Sequence, residues 1–332
     1  DIDHYEQKMA YIDLMGQVTA CTTAADCDDD NPCTTDVCND FDVCTHADVD
    51  DAPCTNGLCG DGAVNLGEEC DDGNERDYDG CSADCTIERG QTVVQQKCIN
   101  GLNKAGTKVS KTQGKINASC IKNTGKGRES TPANCVVADN PRLNKAKAKT
   151  TATAQRSCTE TPDFGYASAA AINDAASGQE LTLLVDVFGA DLNTSVLSEA
   201  DQVGAYCQAA VAKTYEKIMA AKLKVFVKCK KAGLKSYHIN SRARLEECFD
   251  EIAADPGSKI AKTIAKLDKT MDRKCGAYFV DACPGACEGQ GEFAQCVDTL
   301  VGCRACLMIN AMDDLSKDCD GFDDGALNAS CQ

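Results

Sequence analysis

Twenty-five cysteines in 332 residues constrain this chain more than any other feature. A reducing compartment rarely holds so many thiols in one chain, so an extracellular, oxidising setting is expected. Cystines would then do the work of a core that has no Trp, 8 Phe and 8 Tyr. The count is odd, so at least one Cys has no partner within the chain. No apolar run reaches the roughly 18 to 20 residues of a membrane span. The best, Leu181 to Ala190, is interrupted by Asp186. The chain starts at Asp1 without a basic-then-apolar leader, as expected of a mature secreted protein.

Ten of the cysteines fall between residues 21 and 89, in short loops crowded with Asp, Asn, Gly, Thr and Pro. Residues 1–90 hold 3 Lys and Arg against 24 Asp and Glu, a net of -21 in a chain whose total is -18. Neither a 3.6 nor a 2 period is sustained there, so a disulfide scaffold is predicted. The run Cys27-Asp-Asp-Asp-Asn-Pro-Cys33-Thr-Thr-Asp-Val-Cys38 resembles the small repeats of slime-mould extracellular-matrix proteins. Next come Cys59-Gly-Asp-Gly, Glu68-Glu-Cys70-Asp-Asp-Gly-Asn74 and Asp79-Gly-Cys81-Ser-Ala-Asp-Cys85. They are similar to the myxococcal cysteine-rich repeat, with Tyr78-Asp79-Gly80-Cys81 in place of the usual Gly-Asp-Gly-Cys. That resemblance implies a bacterial surface or secreted protein and implies no enzymatic activity. Clustered Asp and Asn in Gly-containing loops supply the hard oxygens that calcium takes. Two candidate loops follow: Asp28, Asp29, Asp30, Asn31 and Asp36, and Asp61, Asp71, Asp72, Asn74, Asp77 and Asp79. Turn capping is the competing role for the same residues.

Beyond residue 90 the texture changes to Ala, Lys, Leu and Ile, and a repeat emerges. Cys98 and Cys120 are 22 residues apart, as are Cys207 and Cys229, and the two segments align without a gap. Leu102 matches Val211, Val109 matches Ile218 and Ile116 matches Val225. Shared apolar and Cys positions at 0, 4, 11, 18 and 22 from the first Cys trace one seam of a helix. Matching lysines (Lys104 with Lys213, Lys108 with Lys217, Lys115 with Lys224, Lys122 with Lys231, Lys126 with Lys235) lie off that seam. Each copy continues through a loop to a second Cys pair, Cys135 and Cys158 or Cys248 and Cys275, with Pro141 and Pro256 placed to open the returning arm. Folded back, Cys120 meets Cys135 and Cys98 meets Cys158; Cys229 meets Cys248 and Cys207 meets Cys275.

The expected fold is therefore mainly α with small disulfide-rich irregular modules: two disulfide-stapled antiparallel helical hairpins after an acidic Cys-rich N-terminal region. The expected parts are an arm (1–20), two Cys-rich modules (21–56 and 57–89), hairpins at 90–160 and 205–276, a connector at 161–204 and a Cys-rich tail at 277–332. In the connector, Ala167 to Ala176 reads as helix and Glu180-Leu-Thr-Leu-Leu-Val-Asp-Val-Phe188 as a possible short strand. The seven tail cysteines should contain the odd thiol.

Chemistry is narrowed mainly by exclusion. Haem attachment needs Cys-x-x-Cys-His, but Cys303-Arg-Ala-Cys306 is followed by Leu307 and reads as structural disulfide rather than redox dithiol. His4, His46 and His238 are widely separated, and no hydrolase or phosphate-loop motif is present. An enzyme is not expected. Lysine-rich helices without aromatic interleaving argue against nucleic acid as a partner, since residues 91–158 contain no Phe, Tyr or Trp. Sequons at Asn117, Asn193 and Asn328 offer glycan acceptors. Complementary charge blocks, the odd Cys and the N-terminal arm suggest a self-associating subunit of an extracellular filament or surface layer. A monomeric, calcium-stabilised adhesin for polysaccharide or protein partners is the alternative.

Overall fold

The computed structural model describes residues 21–28, 34–40, 42–48, 59–64, 68–74, 81–87, 90–236, 238–276, 282–289 and 292–331. The chain divides into two compact units, Asp1–Glu88 and Arg89–Gln332. In the first, sulfur takes the place of a core. Strands β1 (Thr34–Cys38) and β2 (Cys44–Asp48) pair antiparallel, with Cys38 opposite Cys44. Disulfides Cys21–Cys38 and Cys27–Cys44 tie that ribbon to a 3-10 turn at Ala24–Cys27. The Asp26 carboxylate accepts the N–H groups of Thr22 and Thr23, at 2.8 Å each, and the Thr22 hydroxyl. Those bonds, led by the Thr22 hydroxyl, pull its pKa down to about 2. Farther along, Cys59–Cys85 and Cys70–Cys81 close the second cysteine-rich segment.

The second unit is helical, and four of its long helices start where a short polar side chain caps them. Helix α1 (Val93–Thr124) opens with a capping box of Thr92 and Gln95. A short α2 (Pro132–Val137) and then α3 (Pro141–Ser157), capped by Asn140, form its return arm. Next come α4 (Ala169–Phe188), capped by Ser168, and a turn, α5 (Leu192–Ser195). Helix α6 (Gln202–Lys235), capped by Asp201, is answered by α7 (Arg242–Glu246), α8 (Cys248–Ala254) and α9 (Lys259–Lys274). Helices α10 (Phe293–Asp313) and α11 (Cys319–Asp323) complete the unit.

Both repeats close as the cysteine spacing requires. Cys98–Cys158 and Cys207–Cys275 join the outer ends, with Cα atoms 4.6 and 4.7 Å apart. Cys120–Cys135 and Cys229–Cys248 join the inner ends. Neither hairpin is a simple pair of rods, because the inner cysteine of each return arm sits on its own short helix, α2 or α8. Pro141 opens α3 as expected, whereas Pro256 lies before the start of α9. There Asp255 bridges the break, its carboxylate accepting from the N–H groups of Lys259 and Ala261.

The segment 180–188 is helix and not strand. Its buried residues Glu180, Leu183, Leu184, Val187 and Phe188 continue the three-four spacing that begins at Ile172 and Ala176. A short apolar run satisfies either period alone; five turns of burial on one side decide for helix. The connector and the tail are also not peripheral. Helix α1 touches α3, α4 and α6, while α10 touches α4, α6 and α9. The buried arc of α1 runs from Leu102 and Val109 round to Ile99 and Ile121, wider than one return arm can cover. Helices α4 and α10 cover the remainder.

Helices α1 and α6 lie antiparallel and close. A Cβ on Gly125 would sit 2.6 Å from the Ala205 Cβ, and one on Gly114 would sit 2.7 Å from Glu216 Cγ. The two repeats are thus held end to end by residues too small to keep them apart. In the chain-entropy model, a staple closing a longer loop contributes more. Replacing Cys98 and Cys158 together by Ala should cost about 4 kcal/mol, against about 3 kcal/mol for Cys120 with Cys135. Denaturant unfolding under non-reducing conditions checks the ranking.

Candidate functional site

Among the described residues eleven disulfides form, which implies folding under oxidising conditions. Among the described residues no single helix is long and apolar enough to cross a membrane. Cys303 and Cys306 bond not to each other but to Cys331 and Cys319, so α10 carries two structural disulfides rather than a dithiol. Cys287 bonds Cys296, and Cys283 is the free cysteine among the described residues. It is 1% exposed, and burial pushes its thiol up to about 12. The one free cysteine among the described residues therefore lies in the tail, sealed in the core, while Cys33 and Cys54 lie outside the described residues.

One buried polar cluster lies where α1, α4 and α6 meet. Glu180 of α4 is fully buried and accepts a 2.6 Å hydrogen bond from the Ser110 hydroxyl of α1. Its other carboxyl oxygen has no partner and faces Gly114. Glu216 of α6 faces the same glycine. Burial first, and Glu216 after it, raise the Glu180 pKa to about 8. Tyr215 is buried beside them, and its hydroxyl has no partner. Burial first, then Glu180, Glu216, Cys283 and Asp186, push its pKa far up.

A second cluster is an ion pair with almost no exposure, Lys230 of α6 with Asp313 at the end of α10. Lys230 Nζ also donates to the Gly165 carbonyl at 3.1 Å, and Asn103 Nδ2 donates to the same Asp313 oxygen at 2.8 Å. Four separate segments converge on one charge pair. Lys222 with Asp298, 3.0 Å, and a bidentate Arg304–Asp186 pair fasten α10 to α6 and α4.

Of the residues suggested for calcium, Asp29, Asp30, Asn31, Asp77 and Asp79 lie outside the described residues. Asp36 pairs with His46 at 2.7 Å, and Asp28 is exposed at the end of its 3-10 turn. Asp61, Asp71, Asp72 and Asn74 are brought together. Asp71 there accepts the main-chain N–H groups of Gly60, Asp61, Gly62 and Gly73, at 2.7 to 3.1 Å. Asp72 accepts from Cys81 N and Asn74 Nδ2. These carboxylates close turns. For glycans, Asn117 is a correction: it is fully buried, and its side-chain amide donates to the Glu180 carbonyl, so a sugar has no room. Asn193 and Asn328 are exposed.

On the outer side the repeat presents charge. Lys104, Lys108, Lys111, Lys115 and Lys122 follow three-, four- and seven-residue steps along one exposed stripe of α1. Lys213, Lys217, Lys224, Lys228 and Lys231 do the same on α6. None of them forms a salt bridge among the described residues. Glu216 lies between Lys213 and Lys217 on α6 and faces Gly114, between Lys111 and Lys115 on α1; burial raises its pKa, and those four lysines oppose the rise in part. A groove of about 710 Å³ between α9 and α10 is lined by Ile264, Asp268, Met271, Asp272 and Phe293 among others. No His, Ser or Cys is among its described lining residues.

No family model matches this chain, and no curated protein or solved structure does either.

Two substitutions test the buried clusters. Glu180 holds its proton more tightly folded than unfolded, so stability is greatest below the ordinary Glu value of 4.5 and falls as pH rises towards 8. The slope of that loss is roughly 1.4 kcal/mol per pH unit. Glu180→Gln should leave the melting temperature nearly unchanged at acidic pH and raise it by roughly 10 °C at alkaline pH; an equal effect at both would contradict the assignment. Lys230→Met should cost about 3 to 5 kcal/mol by stranding Asp313. Adding Asp313→Asn should restore most of that loss in urea unfolding.

Proposed function

We propose that the protein is a non-enzymatic structural subunit that self-associates in an extracellular filament or surface assembly. One observation carries this reading. A helical body closed by its own disulfides turns unpaired lysine stripes outward, while residues 1–90 of the same chain carry a net -21. Opposite charge concentrated on two parts of one chain favours contact between copies at close range.

The interior supports it. Glu180, Tyr215, Lys230, Asp313 and Cys283 are each at most 1% exposed. A substrate cannot reach them without unfolding the body, and their shifted proton affinities follow from burial among structural partners. Among the described residues the one free cysteine, Cys283, is buried, which favours association through non-covalent contacts. The lysine stripes favour one second reading, a monomeric adhesin that holds an anionic polysaccharide or protein, with calcium stabilising the acidic loops.

Sedimentation velocity and negative-stain electron microscopy of the native protein, over a range of concentrations and with or without calcium, test the reading. Larger species should appear as concentration rises and should dissolve in non-reducing denaturant. A single 35.1 kDa species throughout overturns it and leaves the adhesin.

A further inference from the structure

We infer that the seam between α1 and α6, where Lys111, Lys115, Lys213 and Lys217 converge, is the docking surface for the acidic N-terminal region of a second copy of this chain. This rests on the self-association just proposed and names the surface responsible for it.

The repeat builds that surface twice over. In each copy the lysines stand away from the seam that carries the disulfides, so closing the hairpins leaves them in solvent. The antiparallel crossing at Gly114 then sets the two copies side by side. All four lysines act on one carboxylate, Glu216, which is 7% exposed. Gly114 meets Glu216 at the crossing, so Lys111 and Lys115 on one helix and Lys213 and Lys217 on the other flank the same point. None of the four has a salt-bridge partner among the described residues. At 1.5 Å per residue the α6 stripe from Lys213 to Lys231 runs about 27 Å, far longer than a small anion needs. A surface of that length suits an extended or modular acidic partner.

The chain itself contains one. Residues 1–90 carry 24 Asp and Glu against 3 Lys and Arg, and their described carboxylates lie on short, disulfide-held loops. Asp61, Asp72 and Asp84 belong to such loops. Held in place by cystines, these acids lose little conformational entropy on pairing with lysines. The lysine stems add apolar area to the contact while the ammonium groups meet the acids.

The test combines two measurements. In the first, chains of normal and heavy isotope composition are mixed and treated with a carbodiimide, which joins lysine amines to carboxylates with loss of water. Mass spectrometry should find light-to-heavy amide links from the four lysines to Asp or Glu of residues 1–88. Links confined to single chains, or leading elsewhere, overturn the inference. In the second, Lys111→Glu, Lys115→Glu, Lys213→Glu and Lys217→Glu are combined. A control reverses Lys259, Lys262, Lys266 and Lys269, which are exposed on α9. The first variant, checked to be folded by circular dichroism, should weaken self-association at least about tenfold, and the control should not. Equal weakening in both would reduce the effect to net charge and overturn the site. Assembly that survives the seam reversal overturns this surface and leaves the structural reading standing, whereas a native chain that never assembles ends both. Association seen only with an added polyanion assigns the seam to that polymer instead. If the seam variant does not fold, the cross-links on the native chain decide alone.

Discussion

The close antiparallel contact of α1 and α6 governs what the rest of the helical unit can be. Each helix already spends one face on its disulfide-bonded return arm. Pressing a second face together at Gly114 and at Gly125 against Ala205 leaves a third to be covered from below. That requirement recruits α4 and α10, elements outside the repeat. The same crossing lays Asn103 near Lys230 and brings Glu216 to Glu180, so it decides which polar groups must satisfy one another inside. A side chain at Gly114 would strike Glu216 and Glu180 together, and neither can retreat into an interior that is already filled.

Interior and exterior polar groups are used in opposite ways. Inside, a carboxylate meets a lysine, an amide or a hydroxyl, and burial gives each bond leverage it would lack in water. Outside, the lysines of both stripes form no salt bridge among the described residues and cost the fold little, because solvent screens them. Such a body holds its shape through groups no ligand can reach and offers its neighbours charge.

The hairpins were legible in the sequence because a staple obeys simple geometry: cysteines 22 residues apart on a helix cannot touch, so each needs a partner across the turn. The repeat strengthened that by supplying the pattern twice. The start of helix α4 was legible in Ala167 to Ala176, but its second half was not, since Glu180 to Phe188 satisfies a strand's composition and a helix's period alike. The buried charges were missed although a signal existed. In the ungapped alignment of the repeats, Lys230 stands where the first copy has Ile121. A lysine at a core position of a duplicated helix implies a buried acid from elsewhere, and Asp313 is that acid. The fate of Asn117 and of the acidic loops depended on burial and on turn hydrogen bonds, which residue type alone does not specify.

Cys283 has a consequence for how the covalent framework endures. Rearrangement of disulfides begins with attack by a thiolate, and this thiol is both shielded from solvent and pushed to about 12. While the chain stays folded, its one described free sulfur cannot start an internal reshuffle. Unfolding would release that nucleophile among the surrounding cystines. The native state thus guards its own bonding pattern, and loss of tertiary structure becomes hard to reverse once exchange has begun.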